Sequence, residues 1–361
     1  MPNQVSKYPP LPRSKKLLFL SIIFSAFITL FLVAGEIIAR QTYTPWKIHS
    51  REAIVSQIEP AGLYNLKHDT LGYTFRPGKT IVTLPGPYSF VITHLPDGRR
   101  ITHPPDSNPT NVKKEEIWIF GCSLTEGWAV NDEHTYAWLL QEKFRDFEVA
   151  NFGGGGYSTV QSLIQLREAL QSEKKPKLVV LSYASFHDQR NTLTRSWRKI
   201  RIAYGGYHNL RGMSLPYMEW AGNQNPELLY QPLDYREFPF ARYSALANFI
   251  DETYNGFLEE TYHSHEVSRA VIDEISSLCT ANGIKLVVAG IFAAPQTTAM
   301  LEHCKTKNID TVDIAVDLRL KENSNLPFDP HPSMHAHQQY ARKLESFLCG
   351  RLIDQSLCTS R

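Results

Sequence analysis

The chain has 361 residues, room for an N-terminal appendage and one sizeable α/β domain. Its formal net charge is +2 with no basic block, which excludes nucleic acid as an expected partner. The five cysteines, Cys122, Cys279, Cys304, Cys349 and Cys358, lack metal-type C-x-x-C spacing, and whether Cys349 and Cys358 close a small loop is left open by the sequence.

Leu17–Gly35 is an uncharged apolar run. As a helix it spans about 28 Å, close to the hydrocarbon thickness of a bilayer. Lys7, Arg13, Lys15 and Lys16 precede it, so the positive-inside rule makes residues 1–16 a cytoplasmic tail and 17–38 a transmembrane anchor. Everything after Arg40 then lies outside the cytoplasm, in a periplasmic or other extracytoplasmic space. A cleaved signal peptide is the rival, but the run is long and Glu36-Ile37-Ile38-Ala39-Arg40 is no clear small-x-small site.

Residues 41–112 are punctuated by proline and glycine, with β-prone runs at Thr80–Leu84 and Tyr88–His94 and a turn at Asp97-Gly98. They predict a small β-hairpin region that links the anchor to the next domain and packs against it. Thr102–Asn111, with Pro104, Pro105 and Pro109, is the expected connector.

From residue 113 to 350 strands and helices alternate. Strands are expected at 116–120, 147–152, 177–183, 284–291 and 311–315, and helices at 133–144, 159–171, 267–282, 297–307 and 333–349. This alternation predicts an α/β domain with a parallel sheet covered on both faces. Residues 192–262 break the pattern and form an expected insertion over the C-terminal edge of the sheet. Its Trp197, Arg198, Tyr204, Tyr207 and Trp220 suit glycan stacking or simple packing. Residues 351–361 are a C-terminal tail.

The chemistry concentrates at Gly121-Cys122-Ser123-Leu124-Thr125-Glu126-Gly127, immediately after the first α/β strand. A strand, a glycine-flanked turn and a helix start present a nucleophilic serine at a sheet edge, with free N–H groups near it. Ser123 needs a general base. His331 is the best placed, since the following Pro332 suits a first helical position and would set His331 at a helix N-terminus, where the neutral imidazole is favoured. Asp329, two residues earlier in an extended segment, faces the same way and can fix the imidazole tautomer.

Four glycines, Gly153–Gly156, follow the second strand, and Asn151 can brace their loop. A dinucleotide fingerprint is discounted, because Ser158 stands where its last glycine would fall. Cys122 reads as a small buried residue, and as the alternative nucleophile if Ser123 is dispensable. His331 and His335, at i and i+4 with Asp329 nearby, admit a metal reading, but no second cluster has a comparable spacing. No metal or cofactor is expected. His263 and His265 read as solvated.

This order of motifs resembles the SGNH/GDSL hydrolase superfamily, in its membrane-anchored bacterial branch, over roughly Glu115–Leu348. Gly-Cys-Ser-Leu at 121–124 is similar to the first block, Gly-Asp-Ser-Leu, and Asn151–Tyr157 to the second, with Gly156 at the position of the oxyanion-hole glycine. Ser185-Phe186-His187-Asp188 sits where the third block carries Gly-x-Asn-Asp, so His187 occupies the place of an asparagine donor. Asp329-Pro330-His331-Pro332 resembles the last block. The resemblance implies a flavodoxin-like three-layer domain and a membrane-anchored extracytoplasmic serine esterase or deacylase. Its triad would be Ser123, His331 and Asp329, and its oxyanion hole Ser123, Gly156 and His187. The substrate would be an acylated small molecule, glycan or lipid. The D-x-H spacing is similar to that of polysaccharide O-acetyltransferases, which keeps an O-acyltransferase acting on an envelope polysaccharide open. A catalytically inactive carbohydrate-binding protein is the reading from another class.

Overall fold

The computed structural model describes residues 12–50, 53–86, 88–104, 115–172, 174–204, 213–220 and 225–351. In chain order, α1 (Arg13–Ala39) precedes five short strands. These are β1 (Gln57–Glu59), β2 (Asn65–His68), β3 (Gly72–Phe75), β4 (Gly78–Leu84) and β5 (Tyr88–His94). The alternating part begins with β6 (Glu115–Phe120), α2 (Ser123–Glu126), α3 (Tyr136–Lys143), β7 (Phe147–Asn151), α4 (Thr159–Ala169) and β8 (Leu178–Tyr183). A less regular stretch holds α5 (His187–Asn191), α6 (Arg195–Tyr204), the hairpin β9 (Ser214–Glu219) and β10 (Glu227–Pro232), and α7 (Ala245–Glu259). The chain continues through α8 (Ser264–Ala281), β11 (Lys285–Gly290), α9 (Pro295–Thr306) and β12 (Asp310–Asp313). A small pair, β13 (Ser324–Asn325) with β14 (Asp329–Pro332), leads into α10 (Met334–Arg351).

The central sheet has five parallel strands in the order β12-β11-β8-β6-β7. Counted along the chain this is the doubly wound 2-1-3-4-5 order of flavodoxin-like folds, whose direction of winding switches between β6 and β8. A crevice opens outside the C-terminal ends of the two strands at such a switch. Ser123 follows β6 directly.

Period-two alternation divides the strand residues between two cores. Trp118, Phe120, Val179 and Leu181 face one, with Val160 and Leu163 of α4 and Val271 and Ile275 of α8. Ile117, Ile119, Val180 and Val287 face the other, with Leu140 of α3 and Tyr340 and Leu344 of α10. Every residue of β8 is buried, as a central strand covered on both faces requires. The expected strands all form. The helix expected at 133–144 starts later, because Asp132–His134 is a single 3₁₀ turn and Thr135 then caps α3, accepting from the Trp138 N–H.

The described residues form two compact units. One comprises Ile48–Tyr235 and Phe257–Arg361, so the β-rich segment folds with the central sheet. β1, β4 and β5 make a small antiparallel sheet, and the Arg100 N–H donates to the Asn151 carbonyl at the β7 edge (3.1 Å). The Arg100 side chain is buried and spends every donor. Nε reaches Asp132 Oδ1 (2.9 Å), Nη1 the Glu126 and Gly127 carbonyls, and Nη2 the Val91 and Val130 carbonyls. The expected connector lies outside the described residues from 105 onward. Cys349 is disulfide-bonded, and Cys358 lies outside the described residues.

The other unit comprises the chain through Lys47 together with Arg236–Gly256. α1 has 27 residues and holds an 18-residue window of mean hydropathy 2.7, long and apolar enough to cross a membrane. Its Glu36 carboxylate accepts from Ser244 Oγ (2.6 Å) and from the N–H groups of Ala245 (3.1 Å) and Leu246 (3.0 Å), the start of α7. Donors at a helix start have no partner within the helix, so an outside carboxylate there satisfies them and favours the dipole. Trp46 N–H to the Ala241 carbonyl (2.8 Å) and Asn248 Nδ2 to the Thr44 carbonyl (2.8 Å) complete the join.

Candidate active site

The turn after β6 leaves no space for larger residues. A Cβ on Gly121 would fall 2.2 Å from Thr125 Oγ1, so only glycine lets β6 run into the turn. Ser123 is the first residue of α2 and is buried. Asn151 braces the turn and the glycine loop together, as its position suggested. Its Nδ2 donates to the Thr125 carbonyl (3.0 Å) and its Oδ1 accepts from Gly153 N–H (2.9 Å). Ser158 forms a capping box with Gln161 at the start of α4, which gives a structural reason for serine there.

Across the crevice, His331 Nε2 lies 3.0 Å from Ser123 Oγ, and Nδ1 lies 2.6 Å from Asp329 Oδ1. The same Oδ1 accepts the His331 backbone N–H (2.8 Å), and Trp128 Nε1 donates to Oδ2 (3.1 Å). Burial opposes ionisation of Asp329, yet the His331 charge and these donors together hold its pKa below the ordinary carboxylate value. Asp329 therefore stays an acceptor, with the Nδ1 proton on the imidazole and Nε2 facing the serine.

The local geometry departs from the expected helix start. His331 and Pro332 belong to β14, where Pro332 pairs with Ser324, and α10 begins only at Met334. Asn325 fixes this segment by donating from Nδ2 to the carbonyls of Pro332 (3.0 Å) and Ala129 (3.2 Å). Because His331 is extended, it shares no helical face with His335, which is exposed. Among the described residues no group of three or more His, Cys, Asp or Glu side chains is gathered as for a metal ion. His337, one turn into α10, is buried and accepts the Tyr136 N–H at Nδ1 (3.2 Å).

Gly156 sits at φ +82°, a left-handed conformation, and a Cβ there would fall 2.7 Å from Tyr73 Oη and 3.0 Å from Arg201 Cζ. Its N–H makes no hydrogen bond among the described residues. His187 opens α5, fully buried, with its ring edge-on to Tyr183 and Phe186. Nδ1 accepts the Ala184 N–H (3.4 Å), which leaves the imidazole proton on Nε2, where no partner stands. Burial first, and then Arg190, push the His187 pKa well below its ordinary value, so the ring is neutral. No hydrogen bond joins His187 to Ser123, Gly156 or His331.

Cys122 is fully buried, and burial raises its thiol pKa, the state of an inert packing residue. His265 is not free in solvent: Nδ1 pairs with Asp188 Oδ2 (2.8 Å), while Tyr183 Oη donates to Asp188 Oδ1 (2.5 Å). Of the insertion aromatics, Trp197 is buried, Tyr204 stacks on His49 (4.6 Å between centroids) and Trp220 is exposed, whereas Tyr207 lies outside the described residues. Trp128, Asn325, Arg190 and Arg201 also border the site, and none of them lies in a motif that marks it locally.

At the switch point of the parallel sheet, Ser123, His331 and Asp329 form one hydrogen-bonded chain. No family model and no curated protein matches the sequence. Among solved structures the chain is similar to GDSL/SGNH-family lipolytic proteins and esterases. A member of the lipolytic protein G-D-S-L family from Veillonella parvula DSM 2008 is 10% identical, with 66% of this chain and 100% of that chain covered and a TM-score of 0.38. A lipolytic protein of the G-D-S-L family from Desulfitobacterium hafniense DCB-2 is 14% identical, covering 65% and 100%, with a TM-score of 0.37. A carbohydrate acetylesterase family member from Sinorhizobium meliloti is 12% identical, covering 65% and 98%, with a TM-score of 0.37.

Proposed function

We propose that the chain is a serine esterase of the SGNH type, held to a membrane by α1 and acting outside the cytoplasm on acyl esters of a glycan or lipid. The observation that carries this reading is the continuous hydrogen-bonded chain from Ser123 Oγ through His331 to Asp329. Ser123 Oγ attacks the acyl carbonyl while His331 Nε2 takes its proton, and Asp329 stabilises the imidazolium that forms. The tetrahedral oxyanion lies against the N–H groups of Ser123 and Gly156, with the Nε2–H of neutral His187 as third donor. Collapse breaks the ester bond, the alcohol leaves with the proton from His331, and water attacks the acyl-serine by the same route in reverse.

The retained anchor is supported by the Glu36 contacts with Ser244, Ala245 and Leu246, which cleavage after residue 36 would remove. Lys15 and Lys16 lie before the apolar run, on the side expected to remain in the cytoplasm.

Fluorophosphonate labelling of the full-length protein in detergent, with the modified residue mapped, tests the assignment. The label is expected on Ser123, lost in Ser123→Ala and slowed at least a hundredfold in His331→Ala. Label on Cys122, or unchanged labelling in His331→Ala, would overturn it.

A further inference from the structure

Two guanidinium groups converge on the glycine loop without a carboxylate partner. Arg201 of α6 is buried, and its Cζ and Nη2 lie 3.0 Å from where a Cβ on Gly156 would stand. Arg190 of α5 donates from Nη1 to the Tyr157 carbonyl (2.9 Å). Its Nε is buried with no partner. Aromatic faces hold both groups. Arg190 lies 4.3 Å from the Phe186 centroid and 4.4 Å from that of Trp197, and Arg201 lies 5.5 Å from Trp197.

Among the described residues neither arginine forms an ion pair. Glu126 takes Tyr64 Oη (2.9 Å) and His94 Nε2 (3.2 Å) on Oε1, while its Oε2 lies 2.9 Å from where a Cβ on Gly155 would stand and forms no ion pair with either arginine. Asp188 is taken by Tyr183 and His265. α6 adds Arg195, Arg198 and Lys199 and carries no acidic residue. Burial and the Arg201 charge both act against the charged form of Arg190. Two cations so placed repel in a medium that screens poorly, and an anion between them relieves that cost. Arg190 spends Nη1 on the Tyr157 carbonyl and Arg201 reaches Tyr73 Oη from Nη2 (3.5 Å), and stacking on rings leaves their remaining in-plane N–H groups for an oxyanionic group.

We propose that Arg190 and Arg201 form an anion subsite beside the oxyanion loop, so that the favoured substrate is an ester carrying a charged oxygen group, a carboxylate or a phosphate, next to the scissile bond. This rests on the serine-esterase reading.

The test uses full-length protein in detergent and two matched ester pairs. One compares 4-nitrophenyl butanoate with mono-4-nitrophenyl succinate, placing a carboxylate in the acyl part. The other compares acetylglycerol with acetylglycerol phosphate, placing a phosphate in the alcohol part. The charged member of at least one pair is expected to show a kcat/KM at least tenfold higher, and which pair responds identifies the anion. Arg201→Gln should bring that ratio within twofold, while Arg201→Lys should keep part of it. Equal rates within both pairs, or a ratio unchanged in Arg201→Gln, would overturn the proposal. A second measurement does not depend on turnover: calorimetric titration of Ser123→Ala protein with succinate and with glycerol phosphate. Binding lost on adding Arg201→Gln upholds the subsite even if no ester is cleaved, an outcome that would sink the esterase reading alone. No binding of either anion would sink the subsite.

Discussion

His187 and His337 show what burial does to a single imidazole. His337 is pushed down to about 3 by burial first and then by Arg100, His134 and His331, and His187 is lowered well below the ordinary value. Both rings are neutral when folded, whereas unfolded histidines titrate near 6.5. Below that pH the unfolded chain binds more protons, so stability is fully present above about pH 6.5 and is lost as the pH falls toward the folded values, by roughly 1.4 kcal/mol per unit for each ring. Denaturant midpoints from pH 7 to 4 should therefore decline steeply. His337→Gln, which keeps an acceptor for the Tyr136 N–H, should reduce the slope by about one proton, and an unchanged slope would exclude His337 as a contributor. His187 allows a kinetic test as well. If its Nε2–H holds the developing oxyanion, His187→Ala should lower kcat about a hundredfold with little change in KM, and full activity would leave the main-chain donors as the whole hole.

At the scale of elements, Arg100 ties the β4–β5 hairpin to the loop after Ser123. Its carbonyl partners lie at Val91 on one side and at Glu126, Gly127 and Val130 on the other, and Asp132, its ion-pair partner, also accepts from Thr93 N–H (2.9 Å) and Oγ1 (2.7 Å). Arg100→Met would leave a buried carboxylate without its cation and several carbonyls without this donor. The expected cost is about 3–5 kcal/mol in denaturant unfolding, with labelling of Ser123 impaired at temperatures where the fold survives. A loss under 1 kcal/mol would mean water replaces the guanidinium. None of this was legible in the sequence, where 97–100 reads as a turn and one polar residue. The strands were legible, because Ile117–Phe120 and Leu178–Tyr183 are apolar runs with few other stable placements. The gathering of Ser123, His331 and Asp329 into one hydrogen-bonded chain was legible because each lies in a short motif. Trp128 was not, since its bond to Asp329 spans 201 positions. The start of α10 was misplaced for a related reason: Pro332 suits a helix, but pairing with Ser324 and the Asn325 amide hold it in a strand.

For the whole molecule, the insertion at 192–262 is not one piece. α6 and the β9–β10 hairpin belong to the unit with the central sheet, while Arg236–Gly256 folds with α1. Hydrophobic pattern alone cannot reveal such an allocation, because an apolar face reads the same whichever partner covers it. The consequence is practical. On the proposed anchored reading, trimming the chain after residue 40 is the usual way to a water-soluble fragment, and here it would strip the Glu36 carboxylate from the start of α7. It would also uncover Leu246, whose Cδ2 lies 3.0 Å from where a Cβ on Gly35 would stand, beside the already exposed Phe240, Tyr243 and Ile250. Gel filtration of that fragment without detergent should show self-association, relieved by Phe240→Ser with Ile250→Ser, and a monodisperse peak from the unmodified fragment would refute this. A well-behaved fragment has to be altered at two distant places in the chain, once at the leader and once in the middle of the gene.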